Sequence, residues 1–87
     1  MLRITRSRSS GTDVLYLEGK LLEPWLEELR REIASAGREA AVQLDLAGLE
    51  YVDPAGALLL TTLGRRGIAL RAASPLVAGL MAAALVT

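Results

Sequence analysis

Apolar and polar residues alternate through four short stretches of this chain. Leu2 and Ile4 are separated by Arg3 in residues 2–6, and Leu15 and Leu17 by Tyr16 in residues 14–19. Val42, Leu44 and Leu46 alternate with Gln43 and Asp45 in residues 41–46, and Ile68 and Leu70 precede Arg71 in residues 68–72. A period of two predicts half-buried strands. Between these stretches the period lengthens. Leu22, Leu26, Leu29, Ile33 and Ala36 recur at helical spacing and predict a helix over residues 23–37, with Glu27 and Arg31 paired four apart and Gly37 as its stop. Residues 54–63 predict a second helix, closed by Gly64 or Gly67, and residues 75–85 a third.

The order is β-β-α-β-α-β-α. The first two strands flank a turn at residues 8–13 and predict a hairpin. The two later strands follow helices and predict parallel pairing through right-handed crossovers. The expected fold is α/β, a four-stranded mixed sheet in the order 1-2-3-4, in one domain over residues 1–87. Strands buried on both faces would read as continuous apolar runs. These alternate, so the helices belong on one face, and Gln43 and Asp45 belong on an open one.

The three prolines share one setting. Glu23-Pro24, Asp53-Pro54 and Ser74-Pro75 each place a polar residue before proline at the start of a helical run. Proline suits the first helical position, and Asp53 and Ser74 are good N-caps, with Glu23 a weaker one.

Composition narrows the chemistry. The chain has no cysteine and no histidine. Disulfides, thiolate nucleophiles, imidazole catalysis and histidine-based zinc sites are thereby excluded. Ten basic residues balance ten acidic ones, with one Trp, two Tyr and no Phe. That offers nucleic acid neither a basic stripe nor a stacking platform. The longest apolar run, residues 76–86, is too short to span a bilayer, and residues 1–11 hold no signal-peptide core. Asp45, Glu50 and Asp53 are not expected to converge on a metal. No cofactor is implied, and a cytoplasmic location fits.

Residues 42–80 carry a more specific pattern. An apolar strand ends in Asp45-Leu46-Ala47-Gly48; Val52-Asp53-Pro54-Ala55-Gly56 follows a short turn; then come Leu58-Leu59-Leu60 and Gly67-Ile68-Ala69-Leu70. In order and spacing this resembles the STAS domains, the family of bacterial anti-sigma factor antagonists and of the cytoplasmic tails of sulfate transporters. The resemblance implies a non-enzymatic protein-interaction module acting in regulation of transcription. In the antagonists a serine in this loop is phosphorylated by the partner kinase, which switches binding off. The matching residue here is Ala55, beside Pro54, and neither has a hydroxyl. The switch is therefore expected to be lost.

The expected partner is a protein, either an anti-sigma regulator or, in the alternative reading, a lipid-transport ABC complex on which the chain is a small STAS subunit. A small-molecule or nucleotide binder is the outside reading. The docking surface is expected at Asp53, Pro54, Ala55 and Gly56, with Trp25 nearby as an aromatic anchor or as a half-buried edge of the core. The third helix is apolar nearly all round, so Leu80, Met81 and Leu85 are expected at a further contact, a homodimer or the functional partner.

Overall fold

The computed structural model describes residues 1–36 and 41–84. Strand β1 (Leu2–Ser9) pairs antiparallel with β2 (Thr12–Leu21) through a two-residue turn, Ser10-Gly11, in which both residues have positive φ. That turn geometry matches the twist of a hairpin. A 3-10 turn over Glu23–Trp25 leads into α1 (Leu26–Ala34). Strand β3 (Ala41–Val52), α2 (Pro54–Arg65), β4 (Ala69–Arg71) and α3 (Pro75–Ala84) complete the chain. The sheet order is β1-β2-β3-β4, and β2, β3 and β4 run parallel, as the sequence predicts.

The alternation sorts the two faces as expected. Leu15, Leu17, Leu44 and Leu46 are fully buried and share one core with Leu29 of α1, Leu60 of α2 and Val77 of α3. On the opposite face no helix among the described residues covers Gln43 and Asp45. Arg71 donates there to Asp45 Oδ2 (3.1 Å) and to Gln43 Oε1 (3.0 Å), and its guanidinium lies over the Tyr16 ring.

Several boundaries differ from the sequence expectation. The strand predicted over residues 41–46 continues to Val52. Its buried residues Leu44, Leu46, Leu49 and Val52 are spaced two, three and three apart. Two bulges explain this spacing. From Tyr16↔Asp45 to Glu18↔Gly48, β3 takes three steps against two on β2; from Gly19↔Leu49 to Lys20↔Tyr51 it takes two against one. Each extra residue restores the inward direction that strict alternation would have lost. The Asp45 carboxylate accepts the Ala47 N–H (3.0 Å) at the first bulge.

The first predicted helix begins with a 3-10 turn and has no cap of its own: Leu22, not Glu23, occupies the N-cap position and makes no side-chain hydrogen bond. Glu27 pairs with Arg30 (3.0 Å), three residues on, instead of Arg31. Its predicted stop, Gly37, lies outside the described residues, as do Leu85 and Val86 of the third helix. Between the two glycines proposed to end α2, the structure selects Gly67. Its φ of +98° is the left-handed conformation that glycine adopts at a helix C-terminus.

Beneath the end of α1 lies a charged cluster that periodicity did not reveal. Asp13 is fully buried on the core side of β2. Arg8, its cross-strand neighbour, holds it with two hydrogen bonds (2.6 and 3.0 Å), and Arg6 Nε stands 4.0 Å away. Arg6 also donates to the Glu32 carbonyl and to Ser35 Oγ, which ties the hairpin to the last turn of α1. The hydrogen bond from Arg8, with the positive charge of both arginines, holds the Asp13 carboxyl below its ordinary value against the opposing effect of burial.

Candidate functional site

The site forms where the parallel strands β2 and β3 end side by side. Leu21 pairs with Val52, and the Asp53 N–H donates to the Leu21 carbonyl (3.1 Å). Two helical segments therefore start from adjacent points, each with unpaired backbone N–H groups. Asp53 serves both. Its Oδ1 accepts the Gly56 N–H (2.7 Å) and caps α2; its Oδ2 accepts the Glu23 N–H (2.8 Å) across the gap. The segment that lacks its own cap is capped by the loop of the next crossover.

Gly56 makes that approach feasible. A Cβ there would lie 2.6 Å from the Leu21 carbonyl oxygen, which is backbone and has little room to yield. Pro54 occupies the first turn of α2, where it gives up no hydrogen bond. Asp53, Pro54 and Gly56 thus each have a structural task, and the one carboxylate is engaged by two backbone donors.

Outward from this latch lies a surface of mixed character, apolar in its middle and charged toward its ends. A groove of about 790 Å³ runs between α1 and α2, with Pro24, Ile33, Ala55, Leu58 and Leu63 among its walls. Leu58 is 55% exposed, a large value for a leucine on a packed helix. Ala55 is half-buried at the end nearest Asp53. A smaller pocket of about 200 Å³ lies on the other side of the loop, where Asp53, Pro54 and Tyr51 meet Leu80 and Ala84 of α3.

The structure brings Asp53, Pro54 and Leu80 together around that smaller pocket, and places Ala55 in the larger groove. Trp25 sits in the 3-10 turn, 37% exposed, and lines neither. Leu80 and Met81 are half-buried and turn toward the core with Val77 and Ala84. The outward side of α3 is Leu76 with small residues, Ala78, Gly79, Ala82 and Ala83. Leu58 stands at the surface although the sequence places it in the apolar run of α2. The signal was present: three consecutive leucines at 100° per residue cannot all face one core, and Ala55, Leu58, Thr62 and Arg66 form a second stripe beside the buried one.

Asp45, Glu50 and Asp53 go separate ways. Asp45 faces the open side of the sheet with Arg71, Glu50 is exposed, and Asp53 is held by the two helix starts. Among the described residues no helix is long and apolar enough to cross a membrane.

This fold is that of a STAS domain. The family model described as "Mlab, STAS domain" matches residues 4–86, and the chain belongs to that family. Among solved structures, the anti-sigma factor antagonist SpoIIAA in its unphosphorylated form is similar with a TM-score of 0.72 at 19% identity, over 92% of this chain and 78% of that one. An uncharacterized protein of the DUF3478 family from Shewanella loihica PV-4, with a SpoIIAA-like fold, is similar at 0.53 and 21% identity, over 75% of this chain and 57% of that one. Mglu is similar at 0.54 and 23% identity, over 82% of this chain and 19% of that one. No curated protein matches the chain.

Proposed function

We propose that this chain is a non-enzymatic docking module of the anti-sigma factor antagonist type. It works in the cytoplasm and binds its protein partner without a phosphorylation switch at the Asp53-to-Gly56 loop. The observation that carries this reading is the pairing of a fully engaged carboxylate with an exposed groove whose middle is apolar. Asp53 is occupied by the Gly56 and Glu23 amides, and the surface beside it offers Ala55 and Leu58. Such a surface recognises by contact and shape, not by reaction. The position matching the family's phosphorylated serine is Ala55. The nearby hydroxyls are also engaged: Thr61 and Thr62 donate to the carbonyls of Ala57 and Leu58 (both 2.9 Å), and Ser74 Oγ accepts the Val77 N–H (3.2 Å).

Affinity capture from the native organism with the wild-type chain, Ala55→Glu and Leu58→Glu tests the reading. Both changes place a charge on the groove, Leu58→Glu at an exposed position and Ala55→Glu at a half-buried one beside the core, so circular dichroism accompanies the capture to confirm the fold. An anti-sigma regulator captured by the wild type and lost with both variants is the expected result. A transporter ATPase subunit lost in the same way would replace the sigma-factor reading with the transporter one. A partner retained by both variants would place docking elsewhere.

A further inference from the structure

The groove between α1 and α2 is electrically polar along its length. Glu23 stands at the end where the helices begin, and Arg66 at the end where α2 stops. Neither side chain has an ion-pair partner among the described residues. Between them Glu27 and Arg30 are bonded to each other at 3.0 Å and cancel. The middle is apolar, with Leu58 its exposed large hydrophobic residue.

This arrangement is complementary to itself. At 1.5 Å per residue, the stretch from Ala55 to Arg66 is about 16 Å long, with its midpoint between Leu60 and Thr61. A twofold axis through that midpoint, lying in the interface and crossing the groove, would bring Glu23 of each copy to the end that holds Arg66 of the other. It would also lay each Leu58, within one helical turn of the axis, on the other copy's apolar walls. A parallel overlay would instead place like charges at both ends. Isologous contacts of this kind close as dimers and leave no propagating surface. The chain's net charge of zero adds no long-range repulsion between copies.

We propose that two copies of this chain associate antiparallel through the α1/α2 groove, each covering the other's docking surface, so that a partner must displace one copy to bind. The displacement rests on the proposed docking role of the groove; the dimer itself does not, and the purified chain alone suffices to test it.

Sedimentation velocity from micromolar to near-millimolar concentration reads the outcome, with circular dichroism to confirm that each variant is folded. The wild type self-associates. Leu58→Glu and Arg66→Glu each weaken association about tenfold or more, because a symmetric interface loses two contacts per substitution. Combining Glu23→Arg with Arg66→Glu restores both pairs in reversed sense and recovers most of that loss. A wild type that stays monomeric throughout overturns the proposal. So does a double variant no stronger than Arg66→Glu alone, or a dimer that survives Leu58→Glu but is lost with Met81→Glu. Loss of partner capture by Leu58→Glu alongside a monomeric wild type would sink the dimer and leave the docking role standing.

Discussion

The Asp53 latch makes a graded prediction. Asp53→Ala removes both acceptors at once. Loss of the α2 cap costs about 1 kcal/mol, and up to about 2 where the cap is partly buried, as the Gly56 N–H is. Loss of the bond to the Glu23 N–H costs less, about 0.5 kcal/mol, because that group is at the surface and water can replace the carboxylate. The sum is about 2 kcal/mol, or a fall in Tm of about 8–16 °C for a domain of this size. Asp53→Asn keeps one acceptor for Gly56 but turns an amide donor toward the Glu23 N–H, and should cost about 1 kcal/mol. Urea titration followed by Trp25 fluorescence is suited to this measurement. Trp25 is the chain's one tryptophan, and its backbone N–H donates to the Leu22 carbonyl (2.9 Å) in the turn that the latch secures. Amide exchange separates the two prongs: Gly56 keeps its protection in Asp53→Asn and Glu23 loses it. Equal stability of the Asn and Ala variants, with Glu23 protection unchanged in both, would refute the double role.

Three further outcomes follow from the structure. Gly56→Ala should destabilise by about 1–3 kcal/mol despite alanine's better helix propensity, since its Cβ would meet the Leu21 backbone oxygen; a Tm equal to or above wild type in thermal unfolding counts against the close approach. Asp13→Asn should destabilise at neutral pH by removing the partner of Arg8 and Arg6. The carboxyl's value is lowered in the folded state, so its contribution is complete above the unfolded value of about 3.9 and fades as pH falls through the lower folded value; urea titrations should show the wild-type advantage constant from neutral pH to mild acid and narrowing only below that point. Incubation with an anti-sigma kinase and labelled ATP should leave the chain unlabelled, and stoichiometric phosphate on Thr61, Thr62 or Ser74 would overturn the unswitched reading.

Much of this fold is legible in the sequence because burial on one face imposes a period. Leu15, Leu17, Leu44 and Leu46 announce their strands by alternation, and proline after a polar residue marks each helix start. What escapes is whatever breaks a period or depends on contacts far along the chain. Asp13 falls in the stretch 8–13 that reads as a turn, but the turn is only Ser10-Gly11, β2 starts at Thr12, and the hairpin register brings Arg8 opposite Asp13. Arg6 looks like a surface residue until α1 is seen to end above it. The capping of Glu23 from thirty residues away has no local signature, because nothing at Leu22 or Glu23 indicates which side chain supplies the missing acceptor.

The failure of alternation in β3 is itself part of the site. Had β3 continued in the register set by Tyr16↔Asp45, Leu21 would face Glu50; with the two extra residues it faces Val52. The bulges therefore draw the end of β3 back by two residues, about 7 Å along the strand. Without them Asp53 would project beyond Leu21, out of reach of the Glu23 amide, and α1 would begin without a cap. Asp45-Leu46-Ala47-Gly48 and Asp53-Pro54-Ala55-Gly56 are thus two parts of one device. The first sets how far the strand travels, with the Asp45 carboxylate accepting the Ala47 N–H that the bulge displaces. The second uses the position so reached to fix two helix starts with one carboxylate. A junction with nothing reactive in it serves this purpose: its polar groups fix the two helix starts relative to one another, and with them the spacing of the groove's walls.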